Sequence, residues 1–279
     1  MRGIFVCNNY YFDKGMEYCF DSLRAAFLKK GVVLDRFDGY YSNSGLIKKQ
    51  LSDINFAIFW DKDVYFAKTL ESMGIRVFNN SYALEVADDK RKTYFALPSS
   101  IKCPKTIYAP LMYDSTDTID SDFLCLVSAE LGFPMIIKEN IGSQGRQVYK
   151  ADNDKEMLDI YQKLRYKPHH YQQYLGQKNC DIRAYVVGDK VVGSCKREGE
   201  GFKSNLHQGG KMSLVDIDKR HFSMIESISK ALKLDFGALD FLIDGDDLIF
   251  LEANSNSYFK GIESLKIDIA SKIRDYILS

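Results

Sequence analysis

The sequence has no net charge: across 279 residues, 38 Lys and Arg balance 38 Asp and Glu. A primary nucleic-acid binder usually shows a basic excess or patch, so that class is disfavoured. No C-x-x-C pair occurs among the six cysteines (Cys7, Cys19, Cys103, Cys125, Cys180 and Cys195). Their scatter argues against a disulfide framework or a zinc site, and for reduced thiols in a cytoplasmic protein. No apolar run approaches the length of a membrane span, and no secretory signal precedes the first apolar segment. Low-complexity stretches and internal repeats are absent. No G-x-G-x-x-G follows the first apolar run, which disfavours bound NAD. What remains is ordinary for a globular chain: 46% hydrophobic and 27% charged residues, and length enough for two or three domains with their own cores.

Gly3 to Asn8 is a compact apolar run typical of a buried parallel strand. A helix follows through Leu23, Ala26, Phe27 and Leu28 and ends near Gly31. Further strands are expected at Val32–Phe37, Asn55–Trp60 and Ile75–Phe78, with helices at Ser44–Leu51 and Val64–Met73 between them. This alternation predicts an α/β unit, a parallel sheet covered on both faces, Rossmann-like in topology. Topology does not set function. A boundary is expected near residues 81–89, where Ser81 is placed to cap one short helix and Asp88-Asp89 to open another running to about Leu97.

Near the carboxyl end, Asp240-Phe-Leu-Ile-Asp-Gly-Asp-Asp-Leu-Ile-Phe-Leu-Glu252-Ala-Asn254 reads as a β-hairpin. Alternation puts Glu252 and Asn254 on one face. A two-residue loop would set Asp240 opposite Leu251, on the other face, whereas a three-residue loop, Gly245 to Asp247, sets it opposite Glu252. In the second case two carboxylates and an amide oxygen converge as hard ligands suited to Mg²⁺. The alternative is an edge hairpin with solvent-facing acids.

Upstream, a helix at Ser121–Leu131 precedes a strand that ends in Lys138, and the loop Gly142-Ser143-Gln144-Gly145 follows. Glycines let backbone N–H groups approach an anion, and Lys138 would face the same charge, although many hairpin turns look alike. His169 and His170 lack further ligands at metal spacing. Cys180-Asp181-Ile-Arg183 opens a strand, Gly188-Asp189 turns it, and Arg197 lies at the end of the return. A glycine-rich string, Phe202-Lys203-Ser204-Asn205-Leu206-His207-Gln208-Gly209-Gly210, comes next. A simple hairpin tip is the plain explanation, but its mixture of Lys, Ser, Asn and His is costly to explain that way.

Taken in order over residues 88–275, these motifs resemble the ATP-grasp superfamily, and most closely its RimK-type ligases, which join an amino acid such as glutamate to an amine. The resemblance implies an ATP-grasp fold with a Rossmann-like pre-ATP-grasp domain at 1–88, a central lobe at 89–171 and a C-terminal lobe at 172–279. It implies ATP with one or two Mg²⁺ ions (or Mn²⁺), the metal on Asp240, Glu252 and Asn254. Lys90 and Lys138 would meet the phosphates under a closing loop of Gly142, Ser143, Gln144 and Gly145. Gln173, Tyr174 and Leu175 would bind adenine through their backbone, with Gln173 replacing a usual acid, and Asp181 would lie near the ribose. Arg197, with Lys203, Ser204 and Asn205, would surround the γ-phosphate and the acyl group, Lys203 standing where relatives have arginine. Lys138 and Arg197 are the candidate catalytic residues.

The implied partners are a small-molecule carboxylate and an amine that is a small molecule, peptide or protein tail, with no nucleic acid and no membrane. Relatives are often dimers or tetramers, so the resemblance leaves a homo-oligomer open, and the sequence itself does not fix the oligomeric state. Such a chain would form an amide through an acyl phosphate. The rivals are a D-alanine–D-alanine or dipeptide-type ligase, and a nucleotide-binding regulatory module without turnover. After Asn254 the usual proline is missing, which leaves the geometry of the Ser255–Gly261 loop open.

Overall fold

The computed structural model describes residues 1–8, 10–38, 50–113, 121–142, 145–176, 180–199 and 211–279. The expected helix over 44–51 falls almost entirely outside these residues. The first sheet is parallel, with strand order β2-β1-β3-β4: β1 (Arg2–Cys7), β2 (Val33–Asp38), β3 (Phe56–Phe59) and β4 (Arg76–Phe78). Helix α1 (Lys14–Leu28) covers one face with Met16, Cys19, Leu23 and Phe27, and α2 (Val64–Ser72) covers the other with Phe66, Ala67 and Leu70. Asp13 and Asp63 cap these helices by accepting hydrogen bonds from first-turn N–H groups, which satisfies donors that have no partner within the helix.

Helices α3 (Ser81–Asp88) and α4 (Lys90–Ala96) follow. Asn80, not Ser81, caps α3. The Ser81 hydroxyl donates instead to Glu71 at 2.7 Å, and its N–H donates to the same carboxylate at 2.6 Å, so the charged acceptor on the preceding helix α2 draws both groups. Asp89 caps α4 as expected.

The second sheet is antiparallel, order β5-β8-β6-β7, from β5 (Thr106–Tyr108), β6 (Met135–Glu139), β7 (Val148–Ala151) and β8 (His169–Gln173). Helices α5 (Ser121–Leu131) and α6 (Asp154–Leu164) bury Leu124, Val127, Met157 and Tyr161 against it. The third sheet is antiparallel, order β11-β10-β9-β12-β13, from β9 (Cys180–Val187), β10 (Lys190–Glu198), β11 (Lys211–Leu214), β12 (Phe236–Asp244) and β13 (Asp247–Asn254). Helices α3, α4 and α7 (Phe222–Ala231) pack with its Ile182, Ala184, Leu239, Phe241 and Phe250. Short α8 (Lys260–Ser264) and terminal α9 (Ile269–Leu278) pack on its other face.

The first and third sheets share a core. Trp60 stacks on Phe5 and on Phe236 with centroids 5.4 Å away in each case, and meets the edge of Phe259 at 5.9 Å. Buried Asn79 reinforces the joint. It donates to the carbonyls of Phe236 (2.9 Å) and Ser255 (3.0 Å) and accepts from the N–H groups of Asp235 (2.7 Å) and Phe236 (3.2 Å). An amide so fully bonded in a dry setting fixes orientation as well as holding the parts together. No helix among the described residues is long and apolar enough to cross a membrane.

Candidate active site

Side chains alternate along strands, so one face of the third sheet collects Asp181 and Arg183 from β9, Arg197 from β10, Asp240 from β12, and Glu252 and Asn254 from β13. The pairings are Asp181↔Arg197, Arg183↔Asp240 and Asp240↔Glu252. The hairpin reaches this register by a different route from the one the sequence suggests. Asp244 pairs with Asp247, leaving the two-residue tip Gly245-Asp246, with Gly245 at φ 59°. The register then shifts between Asp240 and Phe241, because Phe241 pairs with Phe250 and Leu251 is an extra residue in β13. This β-bulge turns Glu252 back to the Asp240 face, the correction a three-residue loop would have supplied. The Tyr94 hydroxyl donates to the Leu251 carbonyl at 2.8 Å and so gives the irregular strand a bonding partner.

Asp240 is fully buried and heavily bonded. Arg183 donates from Nε to Oδ1 and from Nη2 to Oδ2, both at 2.7 Å. Arg197 Nη2 lies 3.0 Å from Oδ2, and Asn254 Nδ2 donates to Oδ2 at 3.2 Å. Arg197 also makes a two-point contact with Asp181, at 2.6 and 2.5 Å. Burial alone would raise the Asp240 carboxyl, but the charges of Arg183 and then Arg197 outweigh it and hold it at about 2. Arg183 reaches further, donating from Nη1 to Ser257 Oγ at 3.1 Å.

Two lysines come from the neighbouring elements. Lys138, buried on β6, donates to Gln172 Oε1 at 2.8 Å. Burial pulls its ammonium down to about 8, Glu252 partly restores it, and Lys90 adds to the lowering. Gln172 is held in turn, donating to Tyr94 (3.0 Å) and Thr106 (3.1 Å). Lys90 begins α4 and donates from Nζ to the Gly142 carbonyl at 3.0 Å, while its N–H donates to the Asn140 carbonyl at 2.9 Å. His170 Nδ1 is 2.8 Å from Asn140 Oδ1, and burial followed by the nearby Lys138 charge depresses its basicity.

These groups border a cleft of about 660 Å³ that also reaches the first sheet. Lys90, Gly142, Arg183, Arg197, Glu252 and Asn254 line it, whereas Asp240 and Lys138 lie behind the surface. The hard oxygen donors of Glu252 and Asn254 suit a small divalent cation. Asp240 Oδ2 takes contacts from Arg183, Arg197 and Asn254, Oδ1 accepts from Arg183 Nε, and the carboxylate also meets the Glu252 side chain, so the two acids stand side by side. Among the described residues, no group of three or more His, Cys, Asp or Glu could hold an ion. The set here is two acids and an amide, and its donor chemistry fits Mg²⁺.

Gln173 stands exposed at the end of β8, with its N–H donating to the Lys105 carbonyl at 2.9 Å, and Tyr174 and Leu175 follow it. Asp181 is taken up by Arg197. Gly145 lies just before β7, while Ser143, Gln144, Lys203, Ser204 and Asn205 fall outside the described residues. Sequence reasoning missed Arg183 as the clamp on Asp240, although its i+2 spacing from Asp181 places both on one face. It also missed Gln172 and Tyr94, for which no local signal exists.

The RimK-like ATP-grasp domain model matches residues 87–277. A protein of Legionella pneumophila named a probable alpha-L-glutamate ligase is 30% identical over 75% of this chain and 68% of its own length. Two solved structures share the fold at low identity. A RimK-domain ATP-grasp protein of Sphaerobacter thermophilus has a TM-score of 0.76 at 16% identity, covering all of both chains. The D-alanine–D-alanine ligase of Bacillus anthracis complexed with ATP has a TM-score of 0.73 at 18% identity, covering 100% of this chain and 96% of the other.

Proposed function

The chain belongs to the RimK-like ATP-grasp family of ligases, which use ATP and Mg²⁺, and from that premise we propose that it is a carboxylate–amine ligase. The reaction we assign is activation of an acid as its acyl phosphate, followed by attack of an amine to form an amide with release of ADP and phosphate. L-Glutamate is the proposed acid, after the name given to the Legionella relative. The amine is a small molecule, a peptide or a protein tail.

The observation that carries this reading is the convergence of Glu252, Asn254 and Asp240 on one face, with Lys138 and Lys90 brought in from the neighbouring elements. Phosphoryl transfer needs charge neutralisation and positioning more than a covalent side chain. Asp240, Glu252 and Asn254 would hold Mg²⁺, which when bound neutralises phosphate oxygens. Lys90 and Lys138 would offset the remaining negative charge. Arg197, anchored by Asp181 and Asp240, would present its guanidinium to the transferring group with little reorganisation, and loss of one such contact costs on the order of 3 kcal/mol in the barrier. Burial raises the thiols of Cys7, Cys19, Cys103 and Cys195, which fits a mechanism without a cysteine nucleophile.

The test is phosphate release from ATP and Mg²⁺ across paired L- and D-amino acids and simple amines, with the product identified by mass spectrometry. Amide formation with L-glutamate supports the proposal. D-Alanyl-D-alanine as the product would move the chain to the dipeptide ligases, and nucleotide binding without stimulated release would make it a regulatory module.

A further inference from the structure

The half of the cleft beside the first sheet has a chemistry of its own. With strand order β2-β1-β3-β4, the chain leaves β1 towards one edge and returns at β3 towards the other, so the direction of winding switches between β1 and β3. A crevice opens at the carboxyl ends of the strands at such a point. Asn8 immediately follows β1 and Asp61 lies just past β3; both line the cleft, and Asn8 Nδ2 is 3.5 Å from Asp61 Oδ2. Asn256, from the loop after β13, closes the crevice by donating from Nδ2 to the Asp61 carbonyl at 3.0 Å.

This wall carries one negative charge and an acceptor that nothing satisfies. The Asp61 carboxylate accepts from its neighbour's N–H at 2.6 Å and has no ion-pair partner among the described residues, because the Lys62 ammonium pairs with Asp88. Burial outweighs the hydrogen bonds from the Lys62 N–H and the Asn8 amide and the pull of the Lys62 charge, and raises the Asp61 carboxyl. Asn256 Oδ1 is buried with no hydrogen-bond partner. The Trp60 indole N–H also lacks an acceptor, but that ring is enclosed by Phe5, Phe236 and Phe259. Buried acceptors without donors are costly, and a ligand rich in N–H groups removes the cost.

We propose that this crevice is the subsite for the ammonium group of an amine-bearing substrate, with Asp61 as counter-charge and Asn256 Oδ1 as second acceptor. The assignment deepens the ligase reading and rests on it. The ammonium belongs either to the α-carbon of the amino acid being activated or to the incoming amine, and the test separates the two.

Trp60, the only tryptophan in the sequence, adjoins Asp61, so its emission reports occupancy without turnover. The full chain, with Mg²⁺ and a non-hydrolysable ATP analogue, is titrated with L-glutamate against glutarate and with primary alkylamines against the matching alcohols; calorimetry provides a second readout. The wild type is expected to prefer one amine-bearing probe by about tenfold or more, the worth of a hydrogen bond to a charged group. Asp61→Asn should erase that preference while keeping its melting temperature and its affinity for the analogue. A glutamate preference assigns the subsite to the acid, and an alkylamine preference to the acceptor. If the analogue binds but the paired probes titrate alike in the wild type, or the preference survives in D61N, the subsite is refuted. If the analogue fails to bind the wild type, the ligase reading falls first.

Discussion

Asp240→Asn separates two roles that a buried acid can play at this site. An acid that serves only an absent cation crowds negative charge in the metal-free protein, so neutralising it relieves repulsion and leaves stability unchanged or higher. In this structure Asp240 instead holds Arg183 at two points and touches Arg197, deep beneath the cleft. The amide would leave two buried guanidiniums facing each other with Asp181 as their remaining carboxylate. Breaking a buried pair from one side typically costs about 3–5 kcal/mol. Each kcal/mol lowers the melting point by roughly 2–4 °C in chains of about 150–250 residues, so a drop of at least about 6 °C is expected in EDTA. A pH series gives a second reading. The Asp240 carboxyl is depressed to about 2, so its contribution is complete above the ordinary carboxylate range and fades as pH falls from about 4 towards 2. D240N should lack this part of the acid limb. Equal or greater stability of D240N in EDTA would refute the arginine-anchor account.

Glu252→Ala should differ, losing turnover by at least about a hundredfold with a smaller fall in melting point in EDTA than D240N, because Glu252 supports the Lys138 charge and meets Asp240 but anchors neither arginine. Lys138 is held at about 8, so affinity for an ATP analogue should fall as pH rises through that value, and Lys138→Arg should flatten the profile in a titration by calorimetry. In the same variant the rise in stability expected above pH about 8, where the folded wild type has released a proton the unfolded chain still holds, should vanish. Tyr94→Phe removes the donor to the bulge carbonyl and the acceptor for Gln172, and should cost about 1–3 kcal/mol in urea unfolding.

Much of the fold was legible because the signals are local. Alternating apolar runs and helices identified the first sheet, and period-two patterning identified the last hairpin. Turn length left the facing of Asp240 open, and the family resemblance alone put it with Glu252 and Asn254; the bulge at Leu251 that achieves this is bonded by a hydroxyl from α4, about 157 positions away in the chain. Ser81 and Asn80 are both good caps in isolation, and Glu71, brought in by folding, decides between them. The lysines and the acid–amide set stood in recognisable strings. Asn8, Asp61 and Asn256 did not, because each is an unremarkable residue beyond a strand end. Only the winding of the first sheet and the closing loop bring them to one crevice.

The bulge at Leu251 also separates two properties that hairpins usually tie together. Orientation of the acidic face is fixed well inside the sheet, downstream of the point where the chain reverses. At the tip, Arg220 and His221 meet the Asp246 carbonyl and Lys102 pairs with Asp247. Length changes of two residues at Gly245-Asp246 therefore preserve parity without disturbing the ligand-bearing rungs, and make that point a place to graft a label or a tether.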